Sequence, residues 1–352
     1  MHFSPELSFV IECCRSAFGG VETRQALSSG ALDGARVVRL ARFHGVQGLV
    51  WRAVDLSVSG LGDLHEDAAA IATSNLKVAA ECGKIRGDFQ SAGVGLLFLK
   101  GLTLSALAYG SSAVKSAVDV DLLIAPADLE RAAALLEARG YVLTIPNRAP
   151  ALVGKWHRIR KESVWVAPNL GVQIDLHTRT ADNPRMIPTI DVHSTTRLVD
   201  IGNGIALPTL GPTETFAYLA VHGASSAWFR LKWICDFAAS LAGKSPSELE
   251  EFYRRSLQLA AGRAPAQALL LADRLFGTLA NNPALKTELL RDRMSRALYR
   301  AALTQLAGSP EPIEPTSTRF GTLRIHWTQF LLMPGLRFKS SELLRQARVP
   351  FA

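Results

Sequence analysis

The 352-residue sequence predicts an α+β protein, a mixed β-sheet core flanked by N-terminal and C-terminal helical regions. Three observations predict it. Apolar residues recur at three- and four-residue steps before residue 90 and again after residue 205. Between those stretches lie short runs that alternate every two residues. Few helical segments separate those runs, which argues against a doubly wound parallel sheet. A hydrophobic content of 48% and a charged content of 20% supply packed cores and exclude a disordered or fibrous chain.

The elements follow in order. Helical period occupies 7–18, 34–56 and 67–90, with glycine-rich breaks between. An apolar run at 94–99 leads into a helix at 102–109, a strand at 118–124 and a helix at 126–139 that stops at Gly140. Strands follow at 141–145 and, after a polar insert, at 163–166 and 172–178. Beyond Gly202 and Gly204 helical period returns in 212–224, 228–241, 245–261 and 265–279. Three prolines make 309–318 a linker, and a basic amphipathic tail comes after it. The regions are therefore 1–90 (N-terminal helices), 91–205 (sheet core), 206–308 (C-terminal helical domain) and 309–352 (linker and basic tail).

Net charge is +8, but from residue 285 onward eleven Lys and Arg face five acids, so +6 of it lies in the last fifth of the chain. Residues 94–125 hold two cations, Lys100 and Lys115, and no arginine, so nucleic acid is not the expected partner. The first six residues lack a basic region before an apolar core, and no uncharged apolar run reaches the roughly 18–20 residues of a membrane span. A soluble cytoplasmic protein is expected. Cys13, Cys14, Cys82 and Cys235 contain no Cys-x-x-Cys pair, which argues against a zinc ribbon, a redox motif or a disulfide scaffold.

The sharpest chemical feature is Val118-Asp119-Val120-Asp121-Leu122-Leu123-Ile124. Alternation on a strand sends Val118, Val120 and Leu122 to one face and Asp119 and Asp121 to the other. Two adjacent carboxylates repel unless a cation lies between them, and hard oxygen ligands on a rigid strand suit Mg²⁺. Val172-Gln173-Ile174-Asp175-Leu176-His177 repeats the design, with Gln173, Asp175 and His177 on its polar face. Asp175 is then a third metal ligand or a general base. The same Asp-x-Asp is also what the solvent face of a half-exposed sheet looks like. Upstream, Leu99-Lys100-Gly101 before a helix offers free backbone N–H groups and one point charge to a triphosphate, although such turns also use glycine for steric reasons alone.

Taken together, Leu99-Lys100-Gly101, Lys115 four residues before Asp119-Val120-Asp121, Gly140-Tyr141 and Ile174-Asp175-Leu176-His177 resemble the bacterial nucleotidyltransferase-like family of the DNA polymerase beta superfamily. Arg42-Phe43-His44-Gly45-Val46, Leu219–Ala224 and the stretch from Trp228 to Asp236 resemble that family's helical parts, so the likeness covers roughly residues 5–245. It implies a nucleotidyltransferase-fold sheet, a metal triad of Asp119, Asp121 and Asp175, and Mg²⁺ (or Mn²⁺) as cofactor. It further implies an NTP bound by Lys100, Gly101, Lys115 and His177, and nucleotidyl transfer to an acceptor hydroxyl. The scarcity of cations near the acids points to a small-molecule, glycan, peptide or protein acceptor rather than nucleic acid. The competing expectation is a catalytically weak or inactive relative that keeps the fold as a binding or scaffold module. The chain departs from the superfamily pattern in carrying Gly101-Leu102 where Gly-Ser or Gly-Gly is usual, and Lys115 where Arg tends to stand.

Secondary features have ordinary readings beside functional ones. His177 could orient Asp175, touch a phosphate or serve the sheet alone. His157 and His222 could approach the site from the insert and the helical half, although each alone reads first as a satisfied polar residue at a domain contact, and a zinc site from His157, His177 and His193 lacks short-range spacing. The Arg230 stem is expected to pack on aromatics, and Lys232 and Asp236, four residues apart, to form a surface pair. Residues 323–336, with Trp327 and Phe330, fit either a membrane surface or, preferably, packing on the helical domain.

Overall fold

A computed structural model of the chain describes residues 2–18, 32–54, 60–117, 119–147, 152–308, 314–317 and 321–348. Four helices come first: α1 (Pro5–Ser16), α2 (Gly34–His44), α3 (Gln47–Ala53) and the long α4 (Asp63–Ser91). Ser4 caps α1 ahead of Pro5, and Asp33 caps α2. Gly45, at φ +67°, ends α2 in the left-handed conformation that a β-carbon disfavours, which splits the 34–56 period into two helices.

The sheet region follows as β1 (Leu96–Phe98), α5 (Leu102–Tyr109), β2 (Asp119–Ile124), a short 3₁₀ turn into α6 (Leu129–Ala138), β3 (Val142–Ile145), α7 (Val153–His157), β4 (Glu162–Ala167) and β5 (Val172–His177). A hairpin, β6 (Thr196–Asp200) and β7 (Ala206–Leu210), precedes the second helical set. That set comprises α8 (Pro212–Ser225), α9 (Leu231–Ser240), α10 (Pro246–Gln258), α11 (Ala264–Phe276), α12 (Pro283–Arg291), α13 (Arg293–Ala307), α14 (Leu323–Gln329) and α15 (Leu336–Ala347). Val118 and most of the proposed 309–318 linker lie outside the described residues; within that stretch Pro315–Ser317 form one 3₁₀ turn. None of the described helices is long and apolar enough to cross a membrane.

The five-stranded sheet has the order β1-β2-β5-β4-β3. β2 and β5 run parallel, and every other neighbouring pair is antiparallel. Both faces of β2 are covered. Val120, Leu122 and Ile124 join Val172, Ile174 and Leu176 in a core closed by Cys82, Ile85 and Phe89 of α4 and Leu129, Ala132 and Leu136 of α6. Leu97, Leu99 and Leu123 face the other way, into a larger core that the N-terminal helices share with α8, α9 and α11. Helices from both ends of the sequence thus pack against one side of the sheet, and the polar face of β2 and β5 opens into the seam between them. α14 and α15 are anchored to the helical side: Leu332 and Phe338 enter the larger core, and Gln329 Nε2 donates to the Ser225 carbonyl at 2.6 Å. One side of this tail thus packs on the helical region, as one of the two sequence readings expects.

Candidate active site

Pairing register builds the site. In the parallel ladder Asp121 stands directly opposite Asp175, Asp119 opposite Gln173 and Leu123 opposite His177. Because alternate residues share a face, the two acidic strands present their polar side chains to one place. Oxygens of Asp121 and Asp175 and a ring nitrogen of His177 lie within 4.8 Å of one another, a set able to hold a metal ion. Asp121 is only 4% exposed, so for it the half-exposed-sheet reading of Asp-x-Asp fails: its carboxylate is covered, not turned to solvent. Asp119, also a predicted ligand, is not among the three gathered groups; it keeps 39% of its side chain accessible and lies 3.8 Å from Lys100.

The charges around Asp121 are dense. Lys100, just beyond β1, sets its Nζ 3.1 Å from Asp121 Oδ1 and 3.8 Å from Asp119 Oδ2. His177 Nε2 lies 3.0 Å from the same Asp121 oxygen and 3.2 Å from Glu162 Oε2, while its Nδ1 is buried with no hydrogen-bond partner among the described residues. Glu162 also pairs with Lys161 at 3.2 Å. Burial by itself would raise the Asp121 pKa, but Lys100 and then His177 outweigh it and hold the carboxyl well below the usual range. Asp175 goes the other way. Burial and then the neighbouring Asp121 push it up to about 6, against a hydrogen bond that Gln173 Nε2 donates to its Oδ1 at 2.9 Å. For Lys100, burial works against the charged form, and Asp121 and Asp119 more than restore it, so its pKa is raised.

The cleft above the acids is lined by Lys100, Gly101, Lys115, Lys232, Trp233 and His222 among others, and encloses about 470 Å³ including its open mouth. Gly101, at φ +67°, turns the chain from Lys100 into the first turn of α5. Lys115 arrives on a loop that buried Asn75 of α4 pins from below. The Asn75 amide donates to the carbonyls of Ser112 and Lys115, both at 2.7 Å, and accepts from the Ala117 N–H at 3.1 Å. Gly48 of α3 meets the same loop so closely that a β-carbon there would lie 1.9 Å from the Val114 carbonyl oxygen.

One expectation is overturned. Lys232 and Asp236 do not pair on the surface: Asp236 is buried, bound by the Lys115 ammonium and by the Tyr109 hydroxyl at 2.8 Å. Lys232 instead points into the cleft and makes no ion pair among the described residues, with its ammonium 5.9 Å from the Trp233 ring centroid. Burial, then the nearby Lys115, lower its pKa to about 8. Its stem runs beside Gly45, where a β-carbon would lie 2.9 Å from Lys232 Cδ. Sequence reasoning missed this residue, although Gly45 and the Trp228–Asp236 stretch both marked its surroundings. His222 is not the satisfied contact residue expected: it lines the cleft, its buried Nε2 has no hydrogen-bond partner among the described residues, and burial followed by Lys100 and Lys161 drive its pKa well below the ordinary value.

The remaining candidates are structural. His157 bridges Thr178 and Ser163 at 2.9 Å on each ring nitrogen, and His193 is exposed, so His157, His177 and His193 are not gathered into a zinc site. Arg230 stacks its guanidinium 5.0 Å from the Phe43 ring centroid and 5.6 Å from that of Phe229, and donates to the Phe43 carbonyl. His44 Nδ1 accepts from the Leu231 N–H at 3.2 Å. The Arg42–Val46 motif and the Trp228–Asp236 motif, distant in sequence, are therefore two sides of one contact that forms the cleft wall.

Residues 31–277 match the model of a family described as uncharacterised nucleotidyltransferase. That match spans more than half of the chain, which belongs to this family. No curated protein matches it.

Proposed function

We propose that this member of the uncharacterised nucleotidyltransferase family moves a nucleotidyl group from an NTP to a hydroxyl of a small-molecule, glycan, peptide or protein acceptor, within the DNA polymerase beta superfamily. The observation that carries the reading is the parallel register that sets Asp175 beside Asp121, which itself lines a lysine-rich cleft. The donor set fits a divalent cation. Its two carboxylates are adjacent and crowded enough that Asp175 is held partly protonated near pH 6, even with Lys100 at hand. Asp119, Asp121 and Asp175 would hold Mg²⁺, with Mn²⁺ as an alternative; bound there, the ion neutralises charge on the phosphates and polarises the acceptor hydroxyl.

The chain's own residues supply position and charge. His177, fixed between Asp121 and Glu162, orients the Asp121 carboxylate. Lys100, the backbone beyond Gly101, Lys115 and Lys232 face the phosphates, and among the described residues Lys232 is the one of these lysines without a carboxylate partner. The acceptor oxygen attacks the α-phosphorus, the bond to the bridging oxygen breaks, and pyrophosphate leaves. Asp175 would receive the acceptor proton. Catalysis of this kind rests on positioning and charge neutralisation.

The test is ligand-induced stabilisation. Wild type should rise in melting temperature with Mg²⁺ plus an NTP, and Asp121→Asn should not; no shift in wild type with any of four NTPs sinks the reading. One observation favours the rival of an inactive scaffold: the Lys100 ammonium already neutralises Asp121 from 3.1 Å. The rival predicts neither metal nor NTP binding in the same experiment.

A further inference from the structure

Helices α14 and α15 bury polar side chains and expose most of their large apolar ones, with Phe338 of α15 the buried exception. A surface helix of a monomeric protein ordinarily buries its apolar stripe and exposes its polar one. Here Thr328 and Gln329 of α14 and Glu342 of α15 are buried. Glu342 accepts from the Asn183 amide at 2.9 Å and from Arg345, and Gln329 reaches both α8 and Arg345. The bulky apolar residues point outward: Leu323 and Trp327 of α14 are 63% and 66% exposed, and Leu336, Leu343 and Leu344 of α15 are 84%, 61% and 57% exposed. Their spacing is helical, one turn apart in α14 and two turns apart for Leu336 and Leu343, so each helix carries a stripe rather than scattered residues. Gln346 of α15 donates to the His326 carbonyl of α14 at 2.9 Å, which holds the two helices side by side.

The cations of the tail share this outward surface. Arg324, Arg337, Lys339 and Arg348 are all exposed and make no ion pair among the described residues, and no carboxylate occupies an exposed position of either helix. Leucines and a tryptophan interleaved with unpaired Arg and Lys form the composition of a helix lying in the headgroup layer of an anionic bilayer. The apolar side chains enter the acyl boundary and the cations meet lipid phosphates. We propose that α14 and α15 bind an anionic lipid surface, which would place the cleft of this chain beside a membrane. This proposal is independent of what the cleft catalyses.

The experiment is vesicle flotation with the full chain. Wild type should float with vesicles of phosphatidylcholine and phosphatidylglycerol in equal parts, should stay behind with phosphatidylcholine alone, and should be released by high salt. Replacing Arg324, Arg337, Lys339 and Arg348 by Gln should weaken partitioning by about fivefold for each cation removed. A triple variant, Trp327→Ser with Leu343→Ser and Leu344→Ser, should abolish flotation while leaving the melting temperature intact, because all three side chains are exposed. Failure of wild type to float with anionic vesicles at low salt overturns the proposal. So does light scattering that shows a stable oligomer dissolved by the triple variant, or binding to an acidic polypeptide such as polyglutamate with no binding to vesicles.

Discussion

Asp175 offers a quantitative test of the crowding at the site. Its carboxyl is pushed from an ordinary 3.8 to about 6, first by burial and then by Asp121 beside it. A raised pKa means that the folded chain binds the proton more tightly than the unfolded chain. The associated stability is present below about pH 4 and is lost as pH rises through 6. Two units correspond to about 3 kcal/mol, and partial exposure of the group reduces this to about 1–2 kcal/mol at neutral pH. Asp175→Asn removes the charge, keeps an oxygen to accept from Gln173, and should therefore stabilise the metal-free protein. At roughly 2 cal/mol/K of unfolding entropy per residue, the gain corresponds to a melting temperature about 2 °C higher. The same variant should lose any stabilisation by Mg²⁺ and NTP. Differential scanning calorimetry in EDTA at pH 7.5 and at pH 4.5 reads the gain, which should shrink at the lower pH, and scans with Mg²⁺ and NTP in place of EDTA read the lost ligand effect. A variant less stable than wild type at pH 7.5, or a gain that does not vary with pH, would refute the argument that Asp175 sits in an uncompensated like-charge field.

Other predictions follow from the same geometry. Asn75→Ala strands three backbone groups of the 112–117 loop and should cost about 2–4 kcal/mol, read as a lower urea midpoint with an unchanged slope. Lys232→Met should weaken NTP affinity by about 10- to 100-fold while nucleoside affinity holds, and Lys232→Arg should restore part of the loss; isothermal titration separates these outcomes. His44 and His157 are each lowered to about 4, by burial first and then by Arg230 and His177 respectively, so each favours the fold in its neutral form. That stability is complete above pH 6.5 and falls as pH drops toward 4, by about 3 kcal/mol per histidine. His222, also held neutral by burial, contributes in the same window, so His44→Gln should flatten the profile of urea midpoint against pH by about a third.

Much of the sheet was legible because local alternation and global burial agree there. Val120, Leu122, Ile174 and Leu176 point into the core that their spacing predicts, and the acids between them share the opposite face. The parallel pairing of β2 with β5 was not legible, since register across fifty residues is set by tertiary packing and not by either segment alone. The β6–β7 hairpin escaped for a local reason. Pro208 and the polar Thr196, Arg197, Asp200 and Thr209 mask a two-stranded ribbon that pairs outside the main sheet. Lys232 was misassigned because the i, i+4 rule describes an isolated helix, whereas Asp236 is buried and finds better partners in Lys115 and Tyr109. The helices at 283–307 carry no strong period across their junction, where Asp292 caps α13 directly after α12.

The most direct measurement of the central claim uses NTP labelled with ³²P at either the α or the γ position, incubated with Mg²⁺, purified protein and a cell extract as the source of acceptors. Nucleotidyl transfer predicts that the α label enters a product with release of pyrophosphate, that the γ label does not, and that Asp121→Asn and Asp175→Asn both abolish incorporation. Transfer of the γ label, or incorporation of the α label that survives Asp121→Asn, would contradict the account.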